Sequence, residues 1–197
     1  MLEAWRGQDQ AAGEELFSRY YPRLLRFFSN KVSVDPTDLI QQTLLGCVHG
    51  QERLRDEQKF RSFLFGIAYN VLKNFYRRQH NDGHLDVMSQ SAADLSPGPS
   101  TLMSQDELQR MLLRALRRIP LEHQVVLELF YWENLKSAEI AMLLNEPHGT
   151  IRSRLCRARQ LLKQSVEDRE STRPEQTCTN LDSWAANVRA THKVPTH

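Results

Sequence analysis

One segment, Thr150-Ile-Arg-Ser-Arg-Leu-Cys-Arg-Ala-Arg-Gln-Leu-Leu-Lys163, constrains the fold of this chain more than any other. It holds Arg152, Arg154, Arg157, Arg159 and Lys163 and no acidic residue. At about 100° per residue, a helix sets Ile151, Leu155, Ala158 and Leu162 along one side as a stripe that must be buried. The opposite side carries Arg152, Ser153, Cys156, Arg157 and Gln160, with Arg154 and Arg159 on the flanks. Such a helix suits the major groove of DNA, where Arg pairs with guanine through two hydrogen bonds and Ser or Gln reads other bases. On charge alone, a solvated basic surface helix is the better explanation.

The residues just upstream shift that balance. Ser137-Ala-Glu-Ile-Ala-Met-Leu-Leu144 reads as a short helix with Ser at its start and Glu139 in its first turn, both suited to the free N–H groups there. Asn145 is placed for a left-handed stop, and Pro147 for the first position of a following helix. Two helices, a tight turn and a basic second helix are the layout of a helix-turn-helix. Residues 137–163 are therefore read as a DNA-binding unit.

The rest of the chain also reads as helical. Ala11 to Asn30 carries Leu16, Phe17, Tyr20, Leu24 and Phe28 at helical spacing, with Pro22 expected to bend it. Asp35-Pro-Thr-Asp38 is a helix start, with Asp35 as cap, leading into Leu39 to Val48. Phe60 to about Arg78 has an inner stripe of Phe60, Phe63, Leu64, Ile67, Ala68, Val71, Leu72 and Phe75. Gln105 to Arg118 and Leu121 to Trp132 form two more helices broken at Ile119-Pro120. No stretch alternates like a strand, so the expected class is all-α: two small helical domains joined by a flexible linker, the second containing the helix-turn-helix. The domains are set at 8–79 and 105–165, the linker at 80–104 and a tail at 166–197. Within the tail, Leu181, Trp184, Ala185 and Val188 could form a short amphipathic helix.

Composition excludes several classes. A hydrophobic content of 40% allows a core, so global disorder is not expected. The net charge of +2 says little, but its distribution says more. His80 to Ser104 holds no Lys or Arg and three Asp residues, so the cations concentrate in the recognition helix and around Lys73, Arg77 and Arg78. Cys47, Cys156 and Cys178 form no CxxC pair, which fits a reducing compartment, and two of them are expected to pack as small apolar residues. His80 and His84 lack further ligands nearby, so no metal site and no cofactor is expected. The first residues lack the apolar core of a signal peptide, and no run reaches membrane-spanning length. A cytoplasmic protein without membrane insertion is expected.

The outer side of Phe60–Arg78 leaves two readings open. A wheel puts Ser62, Phe65, Tyr69, Lys73 and Tyr76 there, with Asn70 and Arg77 at the edge. Aromatics mixed with cations and amides resemble a platform on which unpaired bases stack while cations hold the backbone. Alternatively, Phe65 and Tyr76 pack against a neighbouring helix.

A single-strand platform followed by a linker and a major-groove reader resembles a bacterial RNA polymerase sigma factor of the small extracytoplasmic-function group. The resemblance covers about Gln8 to Lys163. Asp35-Pro-Thr-Asp-Leu-Ile-Gln-Gln-Thr-Leu44 is similar to that family's polymerase-binding helix. Phe60-Arg-Ser-Phe-Leu-Phe-Gly-Ile-Ala-Tyr-Asn70 is similar to the segment leading into its reader of the downstream (−10) element. Ile119-Pro120 and Pro147 to Arg159 are similar to its reader of the upstream (−35) element.

The resemblance implies a role for each matching position. Asp35, Asp38 and Gln41 would meet the clamp helices of core RNA polymerase. Tyr69, Asn70, Lys73, Asn74 and Arg77 would hold the non-template strand of the downstream element. Arg152, Ser153, Cys156 and Arg157 would face bases of the upstream element, and Arg154 and the backbone near Gly149-Thr150 would contact phosphate. A cognate anti-sigma factor is a further implied partner, beside core polymerase and promoter DNA. The sequence departs from the family in having Phe63 for Trp, Gln42 and Asn74 for acidic residues, Asn145 for Gly and a small Cys156.

The alternative is a stand-alone helix-turn-helix regulator, in which Asp35–Leu44 and the aromatic platform would have no purpose. An enzyme is not expected, because no phosphate loop, metal-spaced carboxylate set or nucleophile constellation occurs.

Overall fold

A computed structural model describes residues 2–7, 9–54, 59–79, 87–95 and 107–167. The elements are α1 (Leu2–Arg6), α2 (Gln10–Ser29), α3 (Thr37–Gly50), α4 (Phe60–Gln79), α5 (Ala92–Leu95), α6 (Glu107–Arg118), α7 (Leu121–Tyr131), α8 (Ser137–Leu144) and α9 (His148–Glu167). Single 3-10 turns lie at Gln51–Arg53 and Val87–Ser89. The described residues contain no strand, only an isolated bridge between Ser91 and Pro120. The all-α expectation holds, and helix ends differ from the sequence reading by a residue or two where both can be compared, except that α9 runs four residues past Lys163 to Glu167.

In the first module, Asp9 caps α2 by accepting the Ala12 N–H at 3.1 Å, and Pro22 lies inside that helix. Thr37 donates its N–H to Asp35 at 3.0 Å and its hydroxyl to the same oxygen at 2.7 Å, so Asp35 braces the start of α3, although the cap position itself falls one residue later, at Pro36. These bonds hold the Asp35 carboxyl below its ordinary range. α3 and α4 pack closely because α3 presents Gly46 and Gly50 to α4. A Cβ on Gly46 would stand 2.8 Å from Ile67 Cγ2, and one on Gly50 2.7 Å from Phe63 Cζ. The core is aromatic, with Phe27 edge-on to Phe65 at 5.6 Å and Tyr20 to Phe60 at 5.1 Å. α1 was not anticipated. It is too short to show periodicity, yet its Trp5 is buried against Phe17 and Phe60.

The second module packs α6, α7 and α8 against one side of α9. Its core draws on Leu116, Leu121, Val125, Leu129 and Ile140, together with Ile151, Leu155, Ala158 and Leu162 of α9. The four α9 residues are the stripe read from the sequence.

The organisation into two helical domains joined by a linker is as read from the sequence, and the structure adds two features to it. The linker is not wholly structureless: within 87–95, Met88 and Ala92 are buried and the Leu121 N–H donates to Gln90 O at 2.8 Å. The rest of 80–104, like the proposed helix around Leu181–Val188, lies outside the described residues. The two modules also touch. Lys31, after α2, and Glu128, in α7, are both fully buried and hydrogen-bonded to each other. Arg23 and Arg26 of α2 reach Glu133 at 2.9 and 2.7 Å. Arg117 and Gln124 donate to Asn30 O at 3.2 and 3.4 Å.

Burial, with the nearby Arg26 and Arg117 cations adding to it, drives the Lys31 ammonium down, and burial drives the Glu128 carboxyl up; the attraction between the two opposes both shifts. Further bonds make the buried pair tolerable. Lys31 Nζ donates to Phe27 O at 2.7 Å, and Gln124 donates to Glu128 at 3.0 Å.

Candidate nucleic-acid interface

The helix-turn-helix is built as its sequence indicated. At the start of α8, Lys136 N–H donates to Glu139 Oε2 at 2.7 Å. The expected Ser cap is displaced by one residue: Ser137 is already helical, and its hydroxyl meets His148 Nε2 at 2.8 Å, tying together the starts of α8 and α9. Asn145 adopts the left-handed conformation (φ 55°, ψ 46°), and Glu146 N–H returns to Ala141 O at 3.0 Å. Asn tolerates this region better than most residues, so it serves where the family has Gly.

On α9, Arg152, Ser153, Cys156 and Arg157 are all exposed, opposite the buried stripe. Ser153 Oγ donates to Thr150 O at 2.9 Å, which leaves its lone pairs as acceptors toward solvent. Thr150 is half-buried, and nothing stands within 4 Å of the space a Gly149 Cβ would take, so the backbone there is approachable. Arg154 is placed differently. Its side chain is only 15% exposed, and Nη2 lies 3.0 Å from Glu122 Oε2 and 3.3 Å from Glu146 Oε1. Glu122 and Glu146 were not singled out in the sequence. The only available signal was that a carboxylate near a basic helix finds a cation.

α4 divides its expected site. Asn70, Lys73, Asn74 and Arg77 are exposed and follow one another along its C-terminal half, and Tyr69 is half-buried beside them. Phe65 and Tyr76 do not belong to this surface. Both are fully buried, Phe65 against Phe27 and Tyr76 with its hydroxyl donating to Lys31 O, and burial pushes the Tyr76 phenol up to about 12. The packing alternative holds for these two aromatics. The second module contributes to this crowding: Leu143 of α8 lies 3.6 Å from where a Gly66 Cβ would stand.

Asp35, just before α3, and Asp38 and Gln41 on it are all exposed. Leu45 and Val48 on the same helix are also exposed, at 56% and 38%. Beside them, Glu14, Phe17, Tyr21, Pro22 and Leu44 line a shallow groove between α2 and α3. Cys47 is buried, with its thiol pushed up to about 12, and Cys156 is exposed on the outer face of α9, where the wheel placed it; Cys178 lies outside the described residues. The described residues contain no metal-binding group of His, Cys, Asp and Glu, and no helix long and apolar enough to cross a membrane.

Known proteins share this arrangement. The family described as Sigma-70 region 2 matches residues 16–81, and Sigma-70, region 4 matches residues 109–162. The ECF RNA polymerase sigma-E factor of Haemophilus influenzae is 27% identical over 180 residues, spanning 85% of this chain and 94% of that protein. Its counterpart in Escherichia coli K12 is 27% identical over 177 residues, spanning 85% and 93%. In fold, the chain is similar to the sigma factor RpoE from Bartonella quintana, solved in complex with the anti-sigma factor NepR. That match has a TM-score of 0.58 and 21% identity over 78% of this chain and 95% of that one. The chain belongs to the sigma-70 family, within its extracytoplasmic-function group, and serves promoter-specific transcription initiation by RNA polymerase.

Proposed function

We propose that the chain joins core RNA polymerase in the cytoplasm and selects promoters by reading two elements, while the polymerase alone does the chemistry. α9 takes the upstream (−35) element as duplex, with Arg152, Ser153, Cys156 and Arg157 against base edges and the backbone near Thr150 against phosphate. α4 takes the non-template strand of the downstream (−10) element through Asn70, Lys73, Asn74 and Arg77, with Tyr69 as the one aromatic left at that surface. α3 meets the clamp helices of the core through Asp35, Asp38 and Gln41. A cognate anti-sigma factor is a further partner in this reading, since the structurally similar sigma factor was solved with one.

The observation that carries this reading is the exposed Arg152–Arg157 face opposite a buried stripe, in one chain with an exposed amide-and-cation edge on α4. Transcription reconstituted with core polymerase on a library of duplexes tests it. The full chain should restrict initiation to a narrow sequence set. Asp38→Arg should lower its co-elution with core in gel filtration while leaving its helical circular dichroism unchanged. Equal sequence choice by the chain without polymerase would replace this reading with a stand-alone regulator.

A further inference from the structure

The cations of α9 fall into two sets. Arg152 and Arg157 are exposed. Arg154 and Arg159 turn inward to α7 and the turn before α9. Arg154 is bound between Glu122 and Glu146, as described above. Arg159 Nε donates to Tyr131 Oη at 2.9 Å, and its guanidinium lies 5.5 Å from the Phe130 ring centroid and 5.6 Å from that of Tyr131. Glu122 stands at one end of α7 and Tyr131 at the other.

The helical wheel gives this division a mechanical meaning. At about 100° per residue, Arg154 and Arg159 flank the buried stripe on opposite edges. Apolar packing of Ile151, Leu155, Ala158 and Leu162 is non-directional and leaves the rotation of α9 about its axis loosely defined. Hydrogen bonds and ion pairs are directional, and two of them on opposite edges define that rotation. Rotation matters here because one residue step along the helix swings the next side chain into the groove. Arg154 is also poorly suited to hold a phosphate, because a phosphate near its Nη2 would meet two carboxylates.

We propose that Arg154 and Arg159 are positioning residues. They set the rotation of α9 from its two edges, and so determine how sharply Arg152, Ser153, Cys156 and Arg157 discriminate bases. This rests on the reading of α9 as the upstream-element reader.

The decisive variant leaves α9 untouched. Glu122→Gln with Glu146→Gln removes both carboxylates and keeps the Arg154 cation. The full chain, assembled with core polymerase, selects from a duplex library randomised at the upstream element, and binding to the selected duplex is followed over a salt series. Loss of positioning should flatten base preference by about fivefold at several positions together, within the range that impaired bidentate contacts span. The salt slope should stay as in the parent. Tyr131→Phe, which removes the Arg159 partner, should flatten preference in the same way but less. Arg154→Lys, which retains an ion pair, should keep most of the preference that Arg154→Met loses.

Tighter binding by the double Gln variant with intact preference, and a slope steeper by about 0.9, would make Arg154 a phosphate contact and overturn the proposal. A lower melting temperature with unchanged preference in the double Gln variant and in Tyr131→Phe would reduce both arginines to ordinary stabilising contacts, which also overturns it. Arg152→Ala separates the underlying reading: preference intact in that variant removes α9 as the reader, whereas preference lost there and intact in the positioning variants defeats this proposal alone.

Discussion

α9 and α4 are both 20-residue helices assigned a nucleic-acid face, and the same wheel argument succeeds on one and fails in part on the other. α9 leans on α6, α7 and α8 from one side, so its buried stripe and its free face are complementary. α4 is enclosed from two directions. Gly46 and Gly50 of α3 close on Ile67 and Phe63, while Phe27 of α2 meets Phe65 and Leu143 of α8 lies over Gly66. A wheel divides a helix into inside and outside only when it has one inside. On α4 the supposed outside is split. Its aromatics Phe65 and Tyr76 are core, and only the polar residues from Asn70 onward remain open.

The sharpest way to break this comparison is Phe65→Ala. A core phenylalanine truncated to alanine costs about 3–5 kcal/mol, whereas a solvent-facing platform residue would cost about 0.5 or less. Chemical denaturation of the full chain should give the larger value. A small loss with impaired strand capture would restore Phe65 to the platform.

Lys31→Met tests what encloses α4 from the second side. It strands the buried Glu128 carboxylate without its cation, a situation that costs about 3–5 kcal/mol before the structure relaxes, at the upper end only if the modules stay together. Adding Glu128→Leu should recover most of that loss. Thermal melts that do not change with Lys31→Met would mean the modules part easily and α4 has a free second face.

Next in size is the contrast between the two helices in their DNA contacts. Arg157→Ala should cost about 1–3 kcal/mol of discrimination at one base position with stability little changed. Lys73→Ala should leave base preference alone and lower the salt slope of strand capture by about 0.7, the share of one single-strand phosphate contact. Competition assays against substituted promoters, and a salt series on a pre-melted template, separate the two. The reverse pattern would exchange the roles of the helices.

The smallest effect concerns the support behind α9. Burial, then Arg154 and Arg157, depress His123 below its ordinary range. A base with a depressed folded-state pKa is protonated more readily in the unfolded chain. The stability it contributes is therefore full above the unfolded value near 6.5 and declines as pH falls through the folded one. Unfolding curves between about pH 7.5 and about pH 5, which bracket the ordinary histidine range, should show this decline in the parent and less of it in His123→Gln. An identical decline in both would place the titration elsewhere.

Local chemistry determined much of this protein. The left-handed Asn145, the Asp35 helix start and the Ile151–Leu162 stripe with Arg152 and Arg157 opposite it depend on residues within one or two turns of each other, and the sequence contains those residues together. Partners distant in sequence were decided only by the tertiary structure. Lys31 is 97 residues from Glu128, Arg26 is 107 from Glu133 and Tyr76 is 45 from Lys31, and no periodicity records which charge or hydroxyl will meet which. The same holds for the burial of Phe65, the inward turn of Arg154 and the exposure of Leu45. A side chain's face follows from its spacing, but its burial depends on how many elements pack around it, and that number is a property of the assembled fold.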